Sequence, residues 1–106
     1  MKLAICTDVF ADLSYTDMLD KVKSLGIDAV EMTAGGWGAR KHCNTAELLA
    51  DEGKRKKFMG ELEKRGMRIS ALNTSCNPLW PSKTGEEYKK SMYDCATLAG
   101  LLGAKK

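Results

Sequence analysis

A chain of 106 residues has room for one domain with a core of useful size. At 43% hydrophobic and 29% charged, with 10 Gly and 2 Pro, it has the composition of a folded globular protein, which argues against a disordered one. Its 17 basic and 14 acidic residues leave a net charge of +3, too small a basic excess for a nucleic-acid partner.

No apolar run approaches the ~20 residues that span a bilayer, so no membrane partner is expected. The opening Met-Lys-Leu-Ala-Ile-Cys-Thr-Asp brings in Asp8 too early for the apolar stretch of a secretory leader. Cys6, Cys43, Cys76 and Cys95 are widely spaced and contain no C-x-x-C pair; Cys6 and Cys95 sit in apolar patterns typical of buried free thiols. A reducing cytoplasm is the expected location.

The same grammar occurs three times: an apolar run, a polar loop, then a capped amphipathic helix closed by glycine. In the first unit, about 1–26, Lys2–Thr7 reads as a strand buried on both faces. Ser14 and Asp17 form a capping box. Met18, Leu19, Val22 and Leu25 follow at helical spacing, and Gly26 is the stop.

The second unit, about 27–66, has a strand over Ala29–Thr33, then a rim loop with Gly35-Gly-Trp-Gly38 that is expected to be flexible. Asn44 and Glu47 form the next capping box, and Gly53 is expected to divide the following helix, which ends at Gly66. The third unit, about 67–103, has a strand over Met67–Leu72 and a loop through Asn73–Pro81. Thr84 is expected to cap its helix, with Met92, Cys95, Ala96, Ala99 and Leu102 on one face. Residues 104–106 read as the start of a fourth strand that is missing.

Short helix-to-strand links in such an alternation imply parallel strands joined by right-handed crossovers. The expected fold is therefore α/β, with 1–106 as a single partial-barrel domain, roughly three eighths of a (β/α)8 TIM barrel of about 250 residues. The alternative is an open flavodoxin-like three-stranded sheet.

Either architecture binds ligands beyond the C-terminal ends of its strands. Thr7, Asp8, Glu31, Thr33, Asn73 and Ser75 gather there. Glu31 is the most informative, because an acid inside a short apolar strand is costly unless it is paired or near solvent. It is either a working carboxylate or a mouth-edge group held by a Lys or Arg. His42, the only histidine, stands beside Arg40 and Lys41; the plain reading is a solvated loop residue, the functional one a base or ligand. Arg40 and Lys41 before a helix start also suit an anion weakly. Trp37 and Trp80 either cover a ligand or pack on neighbours. Lys54-Arg-Lys-Lys57 reads as a solvated helix face, with Lys57 available to pair with Glu61. The cysteines lack zinc spacing, so no metal site is expected from this chain alone.

The segments Met1–Asp8, Leu25–Met32, Ile69–Asn73 and Asn77–Pro81 together resemble the start of the sugar-phosphate isomerase/epimerase-like proteins. These belong to the xylose-isomerase-like TIM barrel superfamily, which also holds endonuclease IV-type repair enzymes. The resemblance covers the whole chain but only the opening of a family member. It implies a barrel that binds a divalent metal (Mn, Mg or Zn) at its mouth and isomerises or epimerises a small sugar or sugar phosphate by proton transfer next to a carbonyl. The family's metal ligands and acid–base residues come mainly from later strands, so no catalytic residue and no activity are expected of this chain alone. Glu31 corresponds to the family's second-strand glutamate, and Asn73 and Asn77 to its third-strand loop. With Trp37, Trp80 and His42 these are the substrate-binding candidates. Trp80 stands where the family commonly has histidine, and Thr74-Ser-Cys76 where Cys-Ser-Gly is typical. The alternative is a non-catalytic fragment or redesigned scaffold that self-associates as a homo-oligomer to cover its open edges.

Overall fold

The computed structural model describes all 106 residues. Three strands, β1 (Ile5–Cys6), β2 (Ala29–Gly36) and β3 (Arg68–Ser75), form one sheet in the order β1-β2-β3, and both pairs are parallel. The α/β reading with three strand–helix units holds. The first strand is shorter than expected: Lys2–Ala4 lie exposed ahead of the sheet rather than buried in it, and a 3-10 turn over Thr7–Phe10 takes the chain out of the sheet after Cys6.

Helix α1 (Tyr15–Ser24) starts where the capping box places it, with Ser14 Oγ accepting from the Asp17 N–H at 3.2 Å. Met18, Leu19 and Val22 are fully buried on its inner face. Leu25 lies past the last turn and is exposed, a correction to its expected place in the core. Gly26 adopts φ +77, the left-handed stop.

The second helical stretch divides into α2 (Thr45–Ala50) and α3 (Glu52–Glu63), but at Asp51 rather than Gly53. Asn44 caps α2 through the Glu47 N–H. Asp51 is extended, and its carboxylate accepts from the Lys54 N–H at 3.1 Å, which restarts the helix. A break of this kind strands carbonyls at the end of the first piece. Arg55 Nη1 donates to two of them, Leu48 O at 2.7 Å and Leu49 O at 3.1 Å.

Helix α4 (Lys83–Leu102) begins before Thr84, with Ser82 as its cap. Cys95, Leu98 and Leu102 form the buried stripe, whereas Met92 and Ala96, expected inside, face outward. Gly103 ends the helix at φ +71. The Ala104 N–H reaches back to Ala99 O at 2.9 Å, and the Leu72 N–H donates to Lys106 O at 3.0 Å.

The inner-facing residues of all four helices join Val30, Met32, Ala34 and Leu72 in one continuous core. The helices therefore lie on one face of the sheet. Register and alternation put Cys6, Glu31 and Ala71 abreast on the other face, with Thr33 and Asn73 in the next row. The register is unbroken across these two rows; an extra residue in β3 at Ser70 lies just before them and another in β2 at Ala34 just after. No helix is long and apolar enough to cross a membrane.

Candidate functional site

The face of the sheet away from the helices carries the polar groups. At its centre Asn73 Nδ2 donates to Glu31 Oε1 at 2.5 Å, a bond between adjacent strands. Glu31 is thus held by an amide and not by the Lys or Arg expected of a mouth-edge carboxylate. The other amide atom, Asn73 Oδ1, is buried and has no partner. A buried acceptor in that condition costs on the order of 1–3 kcal/mol, and a donor brought to it would recover the loss.

Toward the C-terminal end of β2, Thr33 Oγ1 donates to Asp8 Oδ2 at 2.8 Å, and the Ala39 N–H points to the same oxygen at 3.4 Å. These bonds tie the end of β1 to the end of β2 and draw in the chain after Gly38. An added Cβ at Gly38 would stand 2.3 Å from Thr33 Cγ2, so the chain passes where only glycine fits.

Gly35 and Gly36, expected in a flexible loop, are the last rungs of β2, opposite Thr74 and Ser75. The strand continues because glycine lets α4 and the Ser75 backbone approach closely. The Gly36 N–H donates to Ser91 Oγ at 3.0 Å, and Ser91 Oγ also lies 3.0 Å from Thr74 Oγ1. Nothing local in the sequence marks Ser91 as part of this region. The spacing Ser91, Cys95, Leu98 and Leu102 is a helical stripe, but it is visible only when Met92 is left out of the inner face.

Trp37 is 65% exposed and meets Tyr88 of α4 edge-on, with ring centroids 5.6 Å apart. Trp80 is also exposed, and its backbone packs against Gly85. Asn77 is exposed and accepts from the Leu79 N–H at 3.1 Å, which folds the loop before α4. Of the candidates, then, the structure joins Glu31 directly to Asn73. Trp37 and Trp80 both sit against the N-terminal half of α4.

His42 stands apart. It is buried, not solvated, and its Nε2 lies 2.9 Å from Leu13 O. Its ring lines an outer groove with Tyr15, Leu48 and Phe58 and shares no hydrogen bond with Glu31 or Asn73. Arg40 and Lys41 are exposed beside a recess at the start of α2. In the basic run, Lys54 pairs with Glu47 and Lys56 with Glu52. Glu61 turns to Lys64 and Arg65 rather than to Lys57.

No three His, Cys, Asp or Glu side chains come close enough together to hold an ion. Of the two carboxylates near the open face, Glu31 is engaged by Asn73 and Asp8 by Thr33. A divalent metal has no complete ligand set in this chain.

These observations define a three-stranded parallel α/β unit with its helices on one face and a carboxylate–amide pair on the other. No family model matches the chain. It is 47% identical over 106 residues to the uncharacterized protein YfiH of Bacillus subtilis (strain 168). The match takes in 100% of this chain and 34% of that protein, so the chain spans about a third of the length of the curated relative it resembles.

Proposed function

We propose that the chain is the first three units of a (β/α)8 barrel that isomerises or epimerises a small sugar or sugar phosphate in the cytoplasm, and that it is inactive without the remaining units. The observation that carries this reading is the Glu31–Asn73 pair on the uncovered face of the sheet. The strand order supports a barrel over the flavodoxin-like alternative. Flavodoxin-like sheets reverse direction at a switch point and carry helices on both faces, whereas here β1-β2-β3 runs without reversal and one core unites the helices.

The chemistry follows from the pair. Asn73 fixes one carboxylate oxygen of Glu31 and so sets its orientation. The second oxygen can accept a sugar hydroxyl or move a proton next to a carbonyl. Asn73 Oδ1 can accept from a second hydroxyl. No step is assigned to a metal ion, because the donor set present does not complete a site.

The test is hydrogen–deuterium exchange into ketose substrates with Mn²⁺ added. The 106-residue chain gives no exchange, and the full-length Bacillus relative gives exchange. In a full-length chain carrying this 106-residue segment in place of the relative's matched part, Glu31→Gln lowers the rate about 100-fold or more. An unchanged rate in that variant would remove the basis of the reading. A second reading, a non-catalytic homo-oligomer, is favoured by the free edges of β1 and β3. Light scattering after size-exclusion chromatography distinguishes a monomer from such an assembly.

A further inference from the structure

His42 leaves one ring nitrogen without a use inside the fold. A carbonyl can only accept, so the Nε2 that lies 2.9 Å from Leu13 O carries the ring proton. In the neutral ring Nδ1 is then a bare acceptor, and it is buried with no partner, on a residue only 6% exposed. Buried polar atoms in that condition are rare and call for an explanation. The same ring lines a groove of about 350 Å³ at the seam between α1 and the α2–α3 pair. Leu13 is not part of that lining, so Nδ1 is the nitrogen left to the groove. The buried side is apolar, with Tyr15 stacked on Phe58 and Leu48 beside them. The exposed rim is basic. Lys41, Lys54 and Lys57 stand there against Glu47 alone, which leaves two positive charges unanswered. Glu47 lies 3.6 Å from Lys54, while Lys41 and Lys57 pair with no carboxylate. Like charges gathered round a concave surface focus their field into it and draw in an anion.

We propose that this groove binds a small phosphate, as the free dianion or a monoester, between the rim lysines and His42 Nδ1. The ligand's two charges match the two left over on the rim. The titratable and charged groups about the ring are Tyr15 from α1, Lys41 and Cys43 from its own loop, Glu47 from α2, and Lys54 and Lys57 from α3. Burial keeps Tyr15 and Cys43 neutral, so the lysines and Glu47 decide the field. Three ammonium groups oppose a further positive charge on the ring, and a dianion among them removes that opposition. His42 then takes a proton from solvent on Nδ1 and presents a second N–H to a ligand oxygen, while Nε2–H keeps the Leu13 carbonyl. Nδ1 lies out of reach of water, so the contact requires a small movement of the exposed rim side chains. Once made, the bond is strengthened by the low local dielectric. Every residue of the site belongs to the first two strand–helix units, and none is shared with the Glu31–Asn73 pair. The inference and the isomerase reading can therefore fail separately.

The test is an NMR titration of the 106-residue chain, labelled with ¹⁵N at its single histidine. Inorganic phosphate and glycerol phosphate are added at neutral pH and constant ionic strength. Saturation with phosphate moves the Nδ1 signal from the unprotonated toward the protonated position, and chloride at the same ionic strength does not. Tighter binding of the ester assigns the site to an organic phosphate, and equal binding assigns it to the free ion. Lys57→Gln weakens binding about 3-fold. Glu47→Gln, which releases Lys54, tightens it. Lys56→Gln, in the same basic run but outside the groove, leaves it unchanged. His42→Gln keeps an N–H for Leu13 O and weakens binding about ten-fold. An Nδ1 signal indifferent to phosphate would overturn the proposal. Equal losses from Lys56→Gln and Lys57→Gln would do the same, since they mark diffuse attraction to surface charge.

Discussion

Ser91 Oγ occupies the space that a side chain at Gly35 would need: an added Cβ would lie 1.9 Å from that oxygen. The same hydroxyl accepts from the Gly36 N–H at 3.0 Å. One helix residue thus both requires glycine in the strand and satisfies the strand's last inward-facing donor.

Gly35→Ala should destabilise the chain by about 1–3 kcal/mol through overpacking. Ser91→Ala alone should cost a similar ~1–3 kcal/mol by leaving the Gly36 N–H unpaired. Combined, the two should cost less than their sum, because removing Oγ relieves the worst clash, though Thr74 Oγ1 at 2.9 Å remains. Gly36→Ala should have no such rescue, since its Cβ would meet the Ser75 carbonyl at 2.1 Å in a backbone with φ +75. Urea unfolding of the four variants checks this.

Replacing His42 separates a structural role from a chemical one. His42→Gln keeps an N–H near Leu13 O and should cost less than about 1.5 kcal/mol. His42→Ala loses both the bond and the ring's packing and should cost about 2–4 kcal/mol. If the proposed activity is found in a full-length chain carrying this segment, neither change should alter the turnover of its folded fraction. Melting temperature and activity per folded molecule are the measurements.

The four thiols should fall into two classes. Cys43 and Cys95 are buried; burial pushes the Cys43 thiol up to about 11 and raises that of Cys95. Cys76 is half-buried, and so is Cys6, a correction to its expected burial, because the strand that carries it is at the sheet edge. With a thiol reagent such as Ellman's at pH 8, Cys6 and Cys76 should react in the folded protein. The other two should react only at the rate of unfolding.

Acid should loosen the α1–α3 junction. Arg65 Nε is 2.7 Å from Asp20 Oδ1, and its Nη1 is 2.7 Å from Glu61 Oε2. The hydrogen bond from Arg65 holds the Asp20 carboxyl below its ordinary value, and bonds from Lys64 and Arg65 do the same for Glu61. A carboxyl with a lowered folded value lends stability that is complete above its unfolded value and is lost as pH falls through the folded one. The urea midpoint should therefore drop on going from neutral pH to below the usual carboxylate range, and Asp20→Asn with Glu61→Gln should flatten that slope.

The sequence carried the architecture well because the signals were local. Ser14, Asn44 and Gly26 act where their chemistry demands, and so does Gly103. The sequence suggests a break in the second helix at Gly53, yet Asp51 makes it, since a carboxylate that accepts a backbone N–H interrupts a helix more directly than a flexible residue does. The errors concern contacts between distant elements. Gly35 and Gly36 look like loop residues until α4 is laid against them. His42 looks exposed until the Leu13 carbonyl is placed beside it. Glu31 was legible as a costly carboxylate, but its partner was not, because only the register of β2 on β3 brings Asn73 alongside.

Tyr15 stacks on Phe58 with ring centroids 4.7 Å apart, and its hydroxyl donates to the Phe58 carbonyl at 2.8 Å. Burial raises this phenol far above its ordinary range. Its ionisation is thereby tied to separation of the first helix from the third. With Tyr88 and Tyr93 replaced by Phe, phenolate absorbance from the remaining ring is a built-in optical gauge of that seam in alkali, with no label to be attached.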